Sequence, residues 1–440
     1  MKHSQPNNPF LALDQKIIAD ASLSNELSDN LFYLCDNIGT RFQGTPGYLE
    51  AAEFIQSKFK EYKCDRTELE AFDYLSWKRG AEAKLTMSSP LIKEFPCYAL
   101  PNSTPTGDKN LKAEVVVIGA GTPAEIENLG KKLKGKLAMT SKATGPRSEV
   151  YARCIEKGAI GFIFANAHPG MMVQTGSIGI PEDGKIPAVG IGLESALQIE
   201  RMAQKEKVYL ELESHCHFEK DTSWNVLGEI KGSEHPDEWV IVGGHLDSHD
   251  VSPGGTDNAS GVLVAVETAR LLAKHKKKLK RSIRFMGFAC EEVGLLGSHY
   301  HAKKHAKEMK KTRFMLNSDC PSPGYPKALK FHRCPNAGEY TKNLSEQMMM
   351  EIKYMDIFHS GSDFYPFLLQ GVPTAGLGAG YFTKSVDTFY HMSGDTPEKI
   401  CIDGLKSTAA FAARVLVRAA NDDNWPNMRK SKADVKKLLS

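Results

Sequence analysis

The 440-residue chain has nine cysteines but no C-x-x-C pair, and their odd number and irregular spacing suit neither a disulfide framework nor a thiolate zinc site. They read as reduced thiols, mostly in the core, of a cytoplasmic protein. No apolar run reaches the ~18 residues that cross a bilayer, so no membrane association is expected. The opening MKHSQPNNPF has no apolar stretch of the kind a secretory signal carries. A dominant charge is lacking too: 56 Lys and Arg face 53 Asp and Glu, a net +3 that gives no reason to invoke nucleic acid. The basic run from Lys274 to Arg281 joins a helix-like to a strand-like segment and reads as a solvated connection. Internal repeats and low-complexity segments are absent.

The length exceeds one compact core, so the chain reads as a large domain carrying an insert. The first forty residues are helical in pattern. Ala51, Ala52, Phe54, Ile55 and Phe59 then give a helix an apolar face. From about 96 to 218 short β-rich runs and Gly/Pro turns prevail, with no cluster of ionisable groups. Beyond 219 the pattern alternates: strands at 238–244, 282–289, 313–318, 328–332 and 373–377, helices at 258–274, 295–309, 338–353, 361–370 and 402–420. This predicts a three-layer α/β/α sandwich with a mostly parallel mixed sheet over 1–95 and 219–440, plus a β-rich insert over 96–218.

One segment of the large domain is unlike the rest. GGHLDSHDVSPGGTDNASG, from Gly243 to Gly261, sets acids and a histidine between two apolar runs. Buried carboxylates need a positive partner. In a parallel α/β sheet the site lies at the carboxyl ends of the strands. His245 and Asp247 follow one strand and Asp257 precedes the next helix. Glu291 and Glu292 follow a second strand, Asp319 a third, and His391 lies beyond the last.

Carboxylates brought together in this way would repel one another without cations. Two divalent ions resolve the conflict, and mixed imidazole and carboxylate suits zinc, with cobalt or manganese as substitutes. Asp257 then bridges the ions, and His245, Asp319, Glu292 and His391 divide between them. One acid of the Glu291–Glu292 pair is left over, as a hydrolase's general base must be.

Taken together, GGHLDS, GGTDNASG, CEEVGLLGS, NSD, GSDFYPFLLQGVP and YHMSGDTPEKI resemble the successive signatures of the M28 zinc aminopeptidases, over Asn225 to about Ile402. The early GTRFQGTPGYLEAAEFI fits the same family. The resemblance implies His245 and Asp319 on one zinc, Glu292 and His391 on the other, and Asp257 between them. It makes Glu291 the general base and acid, Asp247 a support that orients His245, and the Asp257–Asn258 peptide cis. After Asp319 an apolar-Gly continuation is expected, whereas the chain reads Cys320-Pro321-Ser322-Pro323. LKGKLAMTSK, YARCIEKGAIGFIFAN and IPAVGI resemble a protease-associated (PA) domain, which in such proteins shapes the substrate cleft or a homodimer contact. The implied activity is removal of residues from peptides with a free N-terminus.

Three alternatives share this scaffold. A carboxypeptidase or dipeptidase needs a clamp for a terminal carboxylate, for which Arg147 and Arg153 are the candidates. A glutaminyl cyclase would hold one zinc and hydrolyse no peptide. A binding module would have lost ligands, and here every position is filled. Asp363 and Asp395 read as supporting or turn residues. His301 and His305, four apart on a lysine-rich helix, read as a solvated face. Gly130 to Lys136 has phosphate-loop spacing but runs into a strand. His215-Cys216-His217 reads as a strand end and Met348 to Met350 as partial core.

Overall fold

The computed structural model describes residues 8–142, 145–321, 324–379 and 389–439. Two eight-stranded sheets organise them. The larger runs, in spatial order, through Arg66–Lys78, His217–Ile230, Arg281–Phe288, His235–His245, Thr312–Asn317, Thr374–Ala379, Lys327–Phe331 and Ile352–Asp356. Its four central strands, from Arg281–Phe288 to Thr374–Ala379, are mutually parallel.

These central strands are apolar on both faces, as a covered parallel sheet requires. Val240 and Val242 point into one core with Phe285 and Phe314, whereas Ile241 points into the other with Met286, Met315 and Phe367. Helix Ser260–Ala273, buried along its whole length, packs with Ile402–Asn421 on the first face. Leu296–Lys304 and Phe364–Leu369 cover the second. The α/β/α sandwich read from the sequence is therefore present. The buried Arg414 and Arg418 close on Asp14 at 3.2 and 2.8 Å, tying the first helix, Leu11–Leu23, to the last long one.

One element differs from its expected form. The helix expected over 338–353 ends at Met348, Met349 turns with φ +54°, and Ile352–Asp356 becomes an edge strand. That strand pairs parallel with Lys327–Phe331, a tertiary partner that local periodicity does not register.

The second sheet draws its strands from Lys84–Ser89 through Tyr209–Glu213, so its first two strands lie ahead of position 96. It leaves and rejoins the large domain at one place. Arg66–Lys78 and His217–Ile230 form a continuous antiparallel ladder whose last rung is Lys78 opposite His217. No helix among the described residues is long and apolar enough to cross a membrane.

Candidate metal centre and active site

Four candidate residues near the large sheet's centre come at or just after the end of a parallel strand. His245 ends its strand, Glu291 and Glu292 come just after Arg281–Phe288, and Asp319 follows Thr312–Asn317 by two residues. Asp257 sits in the turn Gly255–Ala259 that enters helix Ser260–Ala273, and the Asp257–Asn258 peptide is cis. The helix can approach this closely because Gly244 and Gly261 have no side chain. A Cβ on either would lie 2.2 Å from the Ser318 carbonyl oxygen.

The donors converge. His245 Nε2 lies 3.1 Å from Asp257 Oδ1 and 3.5 Å from Asp319 Oδ1. His391 Nε2 lies 3.1 Å from the other Asp257 oxygen, Oδ2, and 3.1 Å from Glu292 Oε2. Asp257 thus presents one oxygen to each group, the geometry of a bridging carboxylate. Glu291 joins His245 and Asp319 in a second cluster of closely spaced donor atoms.

The electrostatics fit the same division. Burial pushes the Glu291 carboxyl well above the usual carboxylate range, with Asp319 and Glu292 acting in the same direction and His245 against it. Burial would raise Asp257 as well, but His245 and His391 hold it at about 2. Burial works against charge on His391, and the Glu292 and Asp257 carboxylates overcome it to raise that imidazole to about 9. Packing this many acids in one desolvated pocket calls for compensating cations.

Supporting contacts come from residues that local reading underrates. Asp247 stands beside His245 and also holds the loop beyond it. Its carboxylate stands 3.6 Å from His245 Nδ1, and its backbone carbonyl is the nearer partner at 3.0 Å. The carboxylate also accepts the backbone N–H groups of Glu291 and Glu292 at 3.2 and 3.1 Å. Asp395 accepts the N–H groups of Thr256 and Asp257 at 2.7 and 2.9 Å, and burial raises its carboxyl to about 6. Ser362 donates to Asp319 at 2.5 Å and accepts from Asn317 at 2.7 Å. Asp363, beside it, is buried with neither oxygen bonded, and burial raises it to about 8. The buried Arg41 ties down the acid-rich turn, donating to the carbonyls of Leu246 at 2.9 Å and Gly254 at 3.1 Å.

The segment that carries the second sheet reaches this centre. Thr175 donates its N–H to the His391 carbonyl at 2.9 Å. At Gly176 (φ +127°) a Cβ would fall 1.5 Å from Arg147 Nη2 and 2.9 Å from His391 Nδ1, so glycine there lets the guanidinium approach the imidazole. Arg147 donates to the carbonyl of Gly176 at 3.0 Å and has no ion-pair partner among the described residues. Burial lowers its pKa to about 10, with Glu292 opposing. Arg153 instead pairs with Glu149 and donates to the Gly121 carbonyl.

The expected solvated face at His301 and His305 is corrected. His301 is buried, its Nδ1 2.9 Å from Glu70, and His305 Nε2 lies 2.8 Å from the same carboxylate. Arg284 reaches His301 at 3.2 Å and Lys304 reaches Glu70 at 3.2 Å. The nearby positive charges leave this cluster an ion-pair network.

An α/β/α sandwich whose parallel strands gather imidazoles and carboxylates around one buried Asp defines a metal-dependent hydrolase. Residues 225–416 match the model of peptidase family M28. The chain is 27% identical over 390 residues to carboxypeptidase Q of Xenopus laevis, covering 84% of this chain and 81% of that protein. It is 28% identical over 412 residues to aminopeptidase YwaD of Bacillus subtilis, covering 92% and 86%. The crystal structure of a peptidase M28 precursor from Shewanella amazonensis superposes with a TM-score of 0.82 at 26% identity, covering 95% and 98% of the two chains.

Proposed function

We propose that this protein is an aminopeptidase that removes residues from peptides with a free N-terminus and uses two divalent ions, zinc foremost. The observation that carries the reading is Asp257, whose two oxygens face two separate imidazole–carboxylate groups. His245 and Asp319 would hold one ion, Glu292 and His391 the other, and Asp257 both. Mixed nitrogen and oxygen donors fit zinc, with cobalt or manganese as substitutes. When bound, such ions polarise the scissile carbonyl and lower the pKa of water.

Glu291 takes the proton as water attacks the carbonyl carbon. As the C–N bond breaks, it delivers that proton to the leaving amine. Burial suits it to this exchange, because a raised pKa makes the carboxyl a better proton acceptor and still a usable donor. Residues 96–218, read as a PA-like domain, close one side of the cleft through Thr175 and Gly176. The sequence features are those of a cytoplasmic protein.

A second reading is favoured by Arg147. A half-buried guanidinium beside His391 can pair with a substrate's terminal carboxylate, which would make short peptides with both ends free the preferred substrates. The test is metal content per chain, measured with p-nitroaniline release from aminoacyl anilides and with cleavage of dipeptides against their C-terminal amides. Two ions with chelator-sensitive anilide release supports the aminopeptidase. Cleavage confined to free dipeptides supports the second reading. One ion with no hydrolysis favours a cyclase and overturns both.

A further inference from the structure

His249 lies four residues beyond His245 in the same acid-rich turn and is only 2% exposed. Phe42 stacks on it at 6.0 Å, and the His391 ring meets it edge-on at 4.4 Å. Its Nε2 is 2.8 Å from Glu292 Oε2, yet neither ring nitrogen has a hydrogen-bond partner. Glu292 Oε1 and His391 Nδ1 are buried and unbonded as well. Polar atoms this deeply buried ordinarily find partners.

The arrangement has a common explanation. Donor atoms that share one zinc at about 2.0–2.2 Å sit roughly 2.8–3.4 Å from one another, and their lone pairs point at the ion instead of at each other. The 2.8 Å contact of His249 and the 3.1 Å contacts of His391 fall in that range. His249, Glu292 and His391 also form a compact donor triad of their own. The turn is held in place from outside: Arg79 grips Asp250, the next residue, at 2.5 and 2.6 Å and reaches Thr175 of the insert at 3.5 Å.

We infer that His249 is an additional protein ligand, through Nε2, to the ion held by Glu292, His391 and Asp257. This rests on the two-ion reading above. The two sites are then unequal. The second ion has four protein ligands and the first has three, His245, Asp319 and Asp257. A more saturated site exchanges its metal slowly, and the site with fewer protein ligands keeps positions open for substrate. The first ion should therefore leave first under a chelator.

The deciding experiment is a crystal structure of the zinc-loaded protein, with the ions located by anomalous scattering, and zinc X-ray absorption on the same sample and on His249→Phe. The expected result is two ions, one about 2.0–2.1 Å from His249 Nε2. Absorption should report three imidazoles shared between two ions in the native protein and two in the variant. The variant should also lose its second zinc at chelator concentrations tenfold or more lower. Two ions with His249 Nε2 more than about 3 Å from either would overturn the inference and leave the two-ion reading intact. No bound ion would overturn both. If His249→Phe does not fold, the native structure decides alone.

Discussion

Asp247 accepts the backbone N–H of Glu291 at 3.2 Å, so the residue two positions after His245 sets the register of the loop that carries the proposed base. Its other oxygen takes the N–H of Glu292 at 3.1 Å. The clamp fixes which of two adjacent glutamates faces Asp257 and His391 and which faces His245 and Asp319. Asp247→Asn leaves one acceptor oxygen where two are needed. The expected outcome is a metal affinity about 10–100-fold lower with the fold retained, read by zinc titration alongside thermal unfolding. Unchanged affinity would assign the clamp a purely structural role.

Glu291→Gln removes the proton acceptor and keeps the shape. Turnover should fall by about 10²–10⁴-fold while both ions remain bound. The pH profile is the sharper readout. A base with a raised pKa is protonated below it, so activity should rise with pH through that pKa. Bound cations pull the pKa back down and move the rise to lower pH. In the variant this acidic limb should vanish.

Arg147→Met tests which end of the substrate the insert reads. For dipeptides with a free carboxylate KM should rise at least about tenfold, because a charge-assisted hydrogen bond is lost. C-terminal amides should be unaffected. Equal changes for both substrates would mean that Arg147 only props up the loop at Gly176.

The Glu70 cluster predicts a pH-dependent stability. Hydrogen bonds to Glu308 and Glu70 hold His305 up at about 9, whereas burial drives His301 down to about 4. The raised group stabilises fully below its unfolded pKa of about 6.5 and loses that contribution as pH climbs through 9. The depressed one costs stability as pH falls from about 6.5 toward 4, because only the unfolded chain takes up the proton there. Glu70→Gln should cost about 3–5 kcal/mol near neutrality by breaking a buried pair, and the loss should shrink toward pH 10. Denaturant melts at several pH values would measure it, and a pH-independent difference would refute the ionic account.

The central strands and the residues after them were legible because each sits in a short local pattern: an apolar run, a turn, then an acid or imidazole. What could not be read was set by distant chain. His301 and His305 lie among Lys303, Lys304 and Lys307, so the face looks solvated until Glu70, 231 residues away, is folded against it. Ser362 gives no sign in sequence that it will meet Asp319. His249 stands in plain view in the most suggestive turn of the chain, yet a complete five-donor account left it without work. The edge strand at Ile352–Asp356 and the early strands of the insert escaped for the same reason, since their partners lie elsewhere in the sequence.

The rung at Lys78 and His217 is where the second sheet enters and leaves. A module hung from adjacent positions of one ladder can be lengthened, shortened or exchanged without shifting the register of the strands that carry the chemistry. Its inner loop nevertheless lies against His391. Exchanging it would therefore change what lies against His391 and leave the strands that carry the acids in place.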